Sequence, residues 1–173
     1  MSVPATGEER VLITAEGYED RCRELDRLRT DERRRLSDLL RQARGDGRPD
    51  DNPALVELLD EQAQLEQRIA MVEAQLAAAE VAPPPSDGRA AIGSVVRVRD
   101  VATREVLEYR LVGPIEGDPA NGRLSVAAPI GSAVMGRQRG ARVEATTPRG
   151  AVTLEVLDVA ATVPDSGDVQ AAA

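Results

Sequence analysis

RQARGDGRPDDNPALVELL, residues 41–59, decides the fold, because a reversal of the chain here separates two amphipathic runs. An arginine-rich run ends at Gly45, and a leucine-rich run follows within ten residues. Gly47 and Pro49 stand in the gap, and residues of these types end helices and form turns. The stretch therefore predicts a turn over residues 45–52 between two helices.

Both flanking runs place apolar residues at the heptad spacing that is typical of a coiled coil. The pattern predicts one helix over residues 14–44, with Glu32 as its polar interruption, and a second over 53–80, with Gln62 in that role. The predicted seam residues are Tyr18, Cys22, Leu25, Leu28, Leu36, Leu39 and Ala43 in the first helix and Leu55, Leu58, Leu65, Ile69, Val72, Leu76 and Ala79 in the second.

The two helices are predicted to fold back on each other as an antiparallel hairpin. Thr14 and Asn52 are suitable N-caps, and Pro53 suits the first helical position. The first helix is rich in arginine and the second in carboxylates, and opposite charges on the flanks of a coiled coil favour pairing. Pairing with a second copy of the chain is the alternative; the glycines and proline of the turn favour the hairpin, and we expect a monomer.

The composition excludes several classes of function. The 173 residues contain no His and a single Cys, Cys22, which excludes the usual zinc sites, a His-activated nucleophile and a disulfide framework within these residues. The net charge of −8 argues against nucleic-acid binding by the chain as a whole. No apolar run approaches the roughly 20 residues that span a bilayer, so we expect no membrane contact and a cytoplasmic protein.

The second half of the chain predicts a small β-rich domain. A proline-rich linker over residues 81–90 ends the second helix, the domain occupies 91–160, and 161–173 form a disordered tail, as 1–13 form an N-terminal one. The fold class is therefore α+β. The predicted elements are strands at 94–99, 104–113 and 122–128, a short helix at 129–136 and a hairpin over 141–160.

Two stretches resemble the GreA/GreB family of bacterial transcript-cleavage factors. ITAEGYEDRCREL, residues 13–25, is similar to the opening of that family's first helix, and GRLSVAAPIGSAVMGRQRGARVEATTPRG, residues 122–150, is similar to its C-terminal signature. The resemblance implies a coiled-coil hairpin followed by a domain that resembles FK506-binding proteins. It also implies a regulator of transcription elongation that is not an enzyme itself, and whose partner is bacterial RNA polymerase.

The resemblance assigns the turn to the polymerase active site, which such a hairpin reaches through the secondary channel. Acidic residues there help to hold a Mg²⁺ ion shared with the polymerase, which then hydrolyses backtracked RNA. The candidates are Asp46, Asp50 and Asp51, and we expect no tightly bound cofactor. Mg²⁺ takes only one or two carboxylates from a protein, which suits this arrangement.

Two further groups of residues follow from the same resemblance. Pro129, Ile130 and Ser132 lie where the family's C-terminal domain meets the polymerase, although Ile130 could equally belong to the core. Arg41 and Arg44, near the turn, could contact RNA or nucleotide phosphates. The alternative for the arginines of this region, Arg33, Arg34 and Arg35 included, is that they pair with the acidic second helix.

The turn departs from the family motif, which reads Gly-Asp-Leu-Ser-Glu-Asn. Gly45-Asp46 matches its first half and Asp51-Asn52 its second, but the interval is two residues longer and Asp replaces Glu. Three interpretations stay open: stimulation of RNA cleavage, binding in the channel with inhibition or modulation of transcription, and aspartates that serve only the turn. A coiled-coil adaptor between two other partners is the alternative outside transcription.

Overall fold

A computed structural model describes residues 10–45 and 52–161 of the protein. The chain divides into two compact units, one containing residues 16–79 and the other residues 11–15 together with 80 onward. The first unit is helical. Its helices are α1 (Ala15–Arg27), a π-helical turn (Leu28–Glu32), α2 (Arg33–Gly45) and α3 (Pro53–Ala78).

The helices form the predicted hairpin, referred to below as the helical hairpin (residues 15–78). Leu28 of the π turn packs with Ile69 and Val72 of α3, while Leu36 and Leu40 of α2 pack with Leu55 near the turn. Positions late in the first arm thus meet positions early in the second, which establishes the antiparallel arrangement. At 1.5 Å per residue, the 26 residues of α3 span about 40 Å.

The π turn corrects one detail of the predicted seam. Leu40, with only 5% of its surface exposed, joins Leu36 in the seam, whereas the predicted Leu39 is half-buried. A π turn contains an extra residue relative to an α-helical turn. The step from Leu28 to Leu36, which spans this turn, is eight residues, one more than a heptad, and the seam then continues through Leu40 to Ala43.

Ion pairs between the arms confirm the prediction from charge. The Arg33 guanidinium donates two hydrogen bonds to the Glu66 carboxylate, at 2.9 and 2.6 Å. Two more pairs join an arginine of the first arm to a glutamate of the second, and one pair runs in the opposite sense. These are Arg29–Glu73, Arg35–Glu61 and Arg68–Glu24.

The second unit is built on a five-stranded sheet, and its part from residue 91 to residue 160 is called the β-domain below. The strands are β3 (Val95–Asp100), β4 (Val106–Val112), β5 (Arg123–Ser125), β6 (Arg142–Thr147) and β7 (Gly150–Ala160), in the order β5-β4-β3-β7-β6. Their pairing is antiparallel except between β4 and β5, which run parallel. The predicted α+β fold, a helical hairpin followed by a β-sheet domain with a short helix, is confirmed.

The short helix α4 (Pro129–Val134) closes the core of the β-domain. Pro129 lies in its first turn, as predicted, and Val134 is fully buried against the sheet. Leu111 from β4 and Val156 from β7 are buried in the same cluster. The β-domain therefore has one continuous apolar core under its helix.

A two-stranded sheet at the N-terminal end of the second unit was not predicted. β1 (Val11–Ile13) pairs with β2 (Ala79–Val81), although we assigned residues 1–13 to a tail and residues 79–80 to the second helix. The carboxylate of Glu116 accepts hydrogen bonds from the Thr14 backbone N–H at 2.9 Å and from the Thr14 hydroxyl. The same carboxylate accepts from the Gly113 N–H at 2.8 Å, so within the second unit it joins Thr14 to the loop after β4.

Of the helices described, none combines the length and the apolar character needed to cross a lipid bilayer.

Candidate functional site

The residues on both sides of the turn define the described part of the candidate site. Asp46, Asp50 and Asp51 lie outside the described residues, between the end of α2 at Gly45 and the cap of α3 at Asn52. Within the part of the chain that the structure describes, no three acidic, Cys or His residues are grouped as metal ligands would be. The assignment of Mg²⁺ to the three aspartates stays a prediction.

Asn52 holds the two ends of the turn together. Its side-chain carbonyl accepts a hydrogen bond from the Leu55 N–H at 3.3 Å, which confirms the predicted N-cap. Its amide group donates to the Ala43 carbonyl oxygen at 3.1 Å, across the hairpin. Because one side chain bonds to both α3 and α2, the C-terminal turn of α2 and the start of α3 are held next to each other.

An open groove of about 320 Å³ lies on the hairpin just below the turn. Its lining residues are Ser37, Leu40, Arg41, Arg44 and Gln62. The Arg41 guanidinium donates to the Asp38 carboxylate at 2.8 Å, whereas Arg44 is exposed and pairs with no carboxylate among the described residues. Guanidinium groups bind phosphate oxygens through paired hydrogen bonds, so the groove offers donors to a phosphate.

Two of the three other arginines of this region pair with the acidic second helix, which was the alternative to phosphate binding. Arg33 and Arg35 pair with glutamates of α3, which directs their charge along the hairpin rather than to a ligand. The hydrogen bonds that Arg33 donates to Glu66 raise the pKa of Arg33. Arg34 is exposed and has no ion pair within residues 10–45 and 52–161.

Glu24, far from the turn, is a second residue in the described part of the hairpin whose pKa is shifted. The Arg68 guanidinium donates to Glu24 at 2.6 Å, and Arg21 contacts the same carboxylate. The hydrogen bond from Arg68 is the main cause that holds the pKa of Glu24 below its usual value, and Arg21 adds to it. This group stabilises the pairing of the arms, and nothing connects it with chemistry at the turn.

The predicted docking residues lie together on α4. Pro129 and Ser132 are exposed, and the Ser132 hydroxyl donates to the Pro129 carbonyl oxygen at 3.1 Å. Ile130 is half-buried and packs against the core of the β-domain. Ile130 thus contributes to the core, which is one of the two roles that the sequence left open, and the docking role of all three residues stays a prediction.

Comparison with known proteins accounts for both units. The family described as "Transcription elongation factor, N-terminal" matches residues 11–81, and the family described as "Transcription elongation factor, GreA/GreB, C-term" matches residues 85–161. The chain belongs to the GreA/GreB family of transcription elongation factors. The two matches cover the helical hairpin and the β-domain in turn, which confirms the resemblance seen in the sequence.

Individual GreA proteins match over nearly their whole length. The transcription elongation factor GreA of Syntrophobacter fumaroxidans is 38% identical over 152 residues, covering 87% of this chain and 97% of that protein. GreA of Thermodesulfovibrio yellowstonii is 35% identical with the same coverage. Among solved structures, GreA factor homolog 1 of Thermus thermophilus is 27% identical over 87% of this chain and 98% of its own, with a TM-score of 0.41.

The hydrogen bonds of the structure also identify two residues whose roles the sequence alone did not reveal. Glu116 was not predicted, because its partner Thr14 is 102 positions away and no local pattern marks such a contact. The second bond of Asn52, to Ala43, was missed for the same reason, although its capping role was found from local chemistry. Asn52 positions the two ends of the candidate site, whereas Glu116 holds Thr14 to the loop after β4 in the second unit.

Proposed function

We propose that the protein regulates transcription elongation by binding bacterial RNA polymerase, with its helical hairpin in the secondary channel and its turn near the active-site Mg²⁺. In this proposal it stimulates the polymerase's own cleavage of backtracked RNA and has no catalytic residue of its own. The observation that carries the proposal is the identity of 38% with a GreA protein over 97% of that protein's length.

The arrangement of the hairpin supports a role that depends on reach. The arms are fixed to each other by two apolar clusters, by inter-arm ion pairs and, next to the turn, by Asn52. A paired helical structure about 40 Å long can carry side chains to a site that a globular domain could not enter. The charged side chains at its end then depend on the hairpin for their position.

The chemistry of the turn fits assistance to a metal ion that belongs to the polymerase. Asp46, Asp50 and Asp51 supply carboxylates, which are preferred ligands of Mg²⁺. A second ion in a phosphodiester site activates water or stabilises the leaving oxygen. Arg41 and Arg44 lie on the adjacent groove, where the exposed Arg44 is suited to a phosphate of the RNA.

A second candidate function shares the binding mode but not the cleavage. The interval from Asp46 to Asp51 is two residues longer than that between the acidic residues of the family motif. A carboxylate displaced by a few ångströms cannot complete a metal site, because coordination distances tolerate only tenths of an ångström. In that case the turn occupies the channel and slows nucleotide addition.

A backtracked elongation complex, assembled on purified bacterial RNA polymerase with Mg²⁺, tests the proposal. We expect the protein to accelerate release of short RNA fragments from the 3′ end. Asp46→Ala or Asp51→Ala should lower that rate by about tenfold or more, because each removes a ligand. Glu57→Ala, an exposed carboxylate one turn into α3, is the matched control and should leave the rate unchanged.

Binding to the polymerase is measured in parallel, so that the cleavage-stimulating and inhibitory functions can be distinguished. Binding with slower nucleotide addition and no fragments would establish the inhibitory function. Binding that survives Pro129→Ala with Ser132→Glu would remove α4 from the interface. No binding of the wild-type chain to the polymerase would refute the proposed function and leave the adaptor hypothesis.

A further inference from the structure

The loop that joins α4 to β6 carries a concentration of positive charge in an acidic protein. Residues 137–142 contain Arg137, Arg139 and Arg142 and no acidic residue, although the chain has a net charge of −8. Arg137, Arg139 and Arg142 are all exposed. This local positive charge lies on the surface, and the apolar core does not require it.

The backbone of this loop is fixed at both ends. Gly136 and Gly140 have φ values of +72° and +87°, which side chains other than glycine rarely adopt. The Gly136 N–H donates to the Ala90 carbonyl oxygen, and the Gly140 N–H donates to that of Val156, each at 2.7 Å. The arginines between the two glycines are therefore presented from a defined backbone.

The positive charge of the loop is largely unneutralised. Within residues 10–45 and 52–161, neither Arg137 nor Arg139 forms an ion pair, and the Arg137 guanidinium donates a hydrogen bond to the Ala133 carbonyl oxygen at 3.4 Å. Arg89 adds a third guanidinium beside them, since it donates to the Gly136 carbonyl oxygen at 3.3 Å. Asp87, 3.6 Å from Arg89, is the carboxylate that offsets part of this charge.

We propose that the basic loop, defined as Arg89, Arg137 and Arg139, binds an acidic protein surface on the polymerase and orients the β-domain there. This inference rests on the proposed function, because it assigns a further part of the same interface. The loop follows α4 directly, so the exposed Pro129 and Ser132 and the basic loop are within about 10–15 Å of each other along the chain. One partner surface can contact both.

The acidic character of the rest of the chain gives the loop a role in orientation. An acidic partner is repelled by a molecule of net charge −8 at most approaches and attracted where the arginines lie. The same net charge opposes binding to a duplex of phosphates, and three arginines supply few of the contacts that such binding needs. The observations therefore favour a protein surface over a nucleic acid.

Charge-reversal variants of the full-length chain test the inference by titration against core RNA polymerase. Arg137→Glu with Arg139→Glu should weaken binding by about tenfold at low salt, chiefly through slower association, and the difference should shrink at about 0.3 M salt. Arg137→Gln with Arg139→Gln should have a smaller effect of the same kind. Arg149→Glu, an exposed arginine in the turn between β6 and β7, is the matched control and should bind as the wild type does.

The outcomes separate this inference from the proposed function. Wild-type binding that is unaffected by both double variants would overturn the role of the loop and leave the proposed function intact. Absence of wild-type binding would refute the proposed function and this inference with it. Retention of the wild type, but not of the Glu variant, on duplex DNA without polymerase would show that the loop binds phosphates instead, which also overturns the inference.

Discussion

Among the described residues, the buried apolar side chains of the helical hairpin form two separate groups of three, whereas nine in the second unit, eight of them in the β-domain, form one cluster. The hairpin adds ion pairs between its arms, and Asn52 joins the arms beside the turn. The β-domain relies on its sheet and on the packing of α4. Polar contacts thus help to fix the relative position of the two arms in the hairpin, whereas apolar packing holds the sheet and α4 together in the β-domain.

This difference matches what each region is proposed to do. A structure that enters a channel must be thin, so few of its residues can be fully buried, and surface contacts must fix the relative position of its arms. A domain that docks on a surface must keep α4 and the loop after it in place, which a continuous core achieves. Substitutions in each region test whether apolar packing contributes more to the stability of the β-domain and polar contacts more to that of the hairpin.

Removing a buried leucine from each region gives the largest expected effect. Leu111→Ala should lower the free energy of unfolding of the β-domain by about 4 kcal/mol, and Leu28→Ala that of the hairpin by about 3 kcal/mol. The β-domain loses more because its surrounding residues cannot close the cavity, whereas α3 can move toward the gap. Urea denaturation, followed at 222 nm for the hairpin and by amide signals of β3, measures both. Equal losses would contradict the comparison.

Gly131 tests the close packing of α4. A Cβ atom added there would lie 2.0 Å from the Ser125 carbonyl oxygen, so the helix must move. Gly131→Ala should lower the stability of the β-domain by about 2 kcal/mol. Ser132→Ala on the same helix, at an exposed position, is the control and should cost less than about 0.5 kcal/mol. Thermal unfolding measures the pair; an unchanged midpoint for Gly131→Ala would show that α4 is loosely held.

Glu24 tests the polar stabilisation of the hairpin through pH. Its pKa in the folded protein is lowered, chiefly by the hydrogen bond from Arg68, so its stabilising effect is complete above the unfolded value of 4.5 and is lost as the pH falls toward the folded pKa. Glu24→Gln should cost about 1 kcal/mol at pH 7. The difference from wild type should shrink below about pH 4.

The control for Glu24 is Glu57→Gln, which removes an exposed carboxylate of α3. Its effect on urea denaturation at 222 nm should be small at every pH between about 3 and 7. If Glu24→Gln lost the same amount at pH 3 as at pH 7, the contribution of Glu24 would be packing rather than charge.

The exposed ion pair of Arg33 and Glu66 should give the smallest effect. Both side chains are nearly half exposed, at 46% and 47%. A double-mutant cycle with Arg33→Ala and Glu66→Ala should yield a coupling energy smaller than the loss from Glu24→Gln, and it should decrease with salt. A coupling as large as the loss from Leu28→Ala would mean that single ion pairs on the arms stabilise the hairpin as strongly as its apolar seam does.

The sequence was sufficient for elements that local patterns determine. Heptad leucines predicted both arms, and Asn52 followed by Pro53 predicted the start of α3, because capping depends on adjacent residues. It was insufficient where contacts are distant in the chain. The bond between Thr14 and Glu116 could not be predicted, and neither could the π turn at Leu28–Glu32, after which Leu40 rather than Leu39 is buried in the seam.

The candidate site shows the same limit. Its arginines divide by what lies opposite them: Arg33 and Arg35 meet glutamates of α3, while Arg44 meets none among the described residues, and only the paired structure reveals this. The sequence left Ile130 between docking and the core; in the structure it packs against the core while Ser132 is exposed, because α4 has a single buried side.

The contact between Thr14 and Glu116 sets an order for folding on the ribosome. The hairpin can pair as soon as α3 has been synthesised, because all of its partners then exist. Thr14 must wait for Glu116, 102 residues later in translation, before its N–H and hydroxyl are satisfied. The Thr14 N–H and hydroxyl of the nascent chain therefore stay exposed to water until the loop after β4 has been synthesised and the second unit folds.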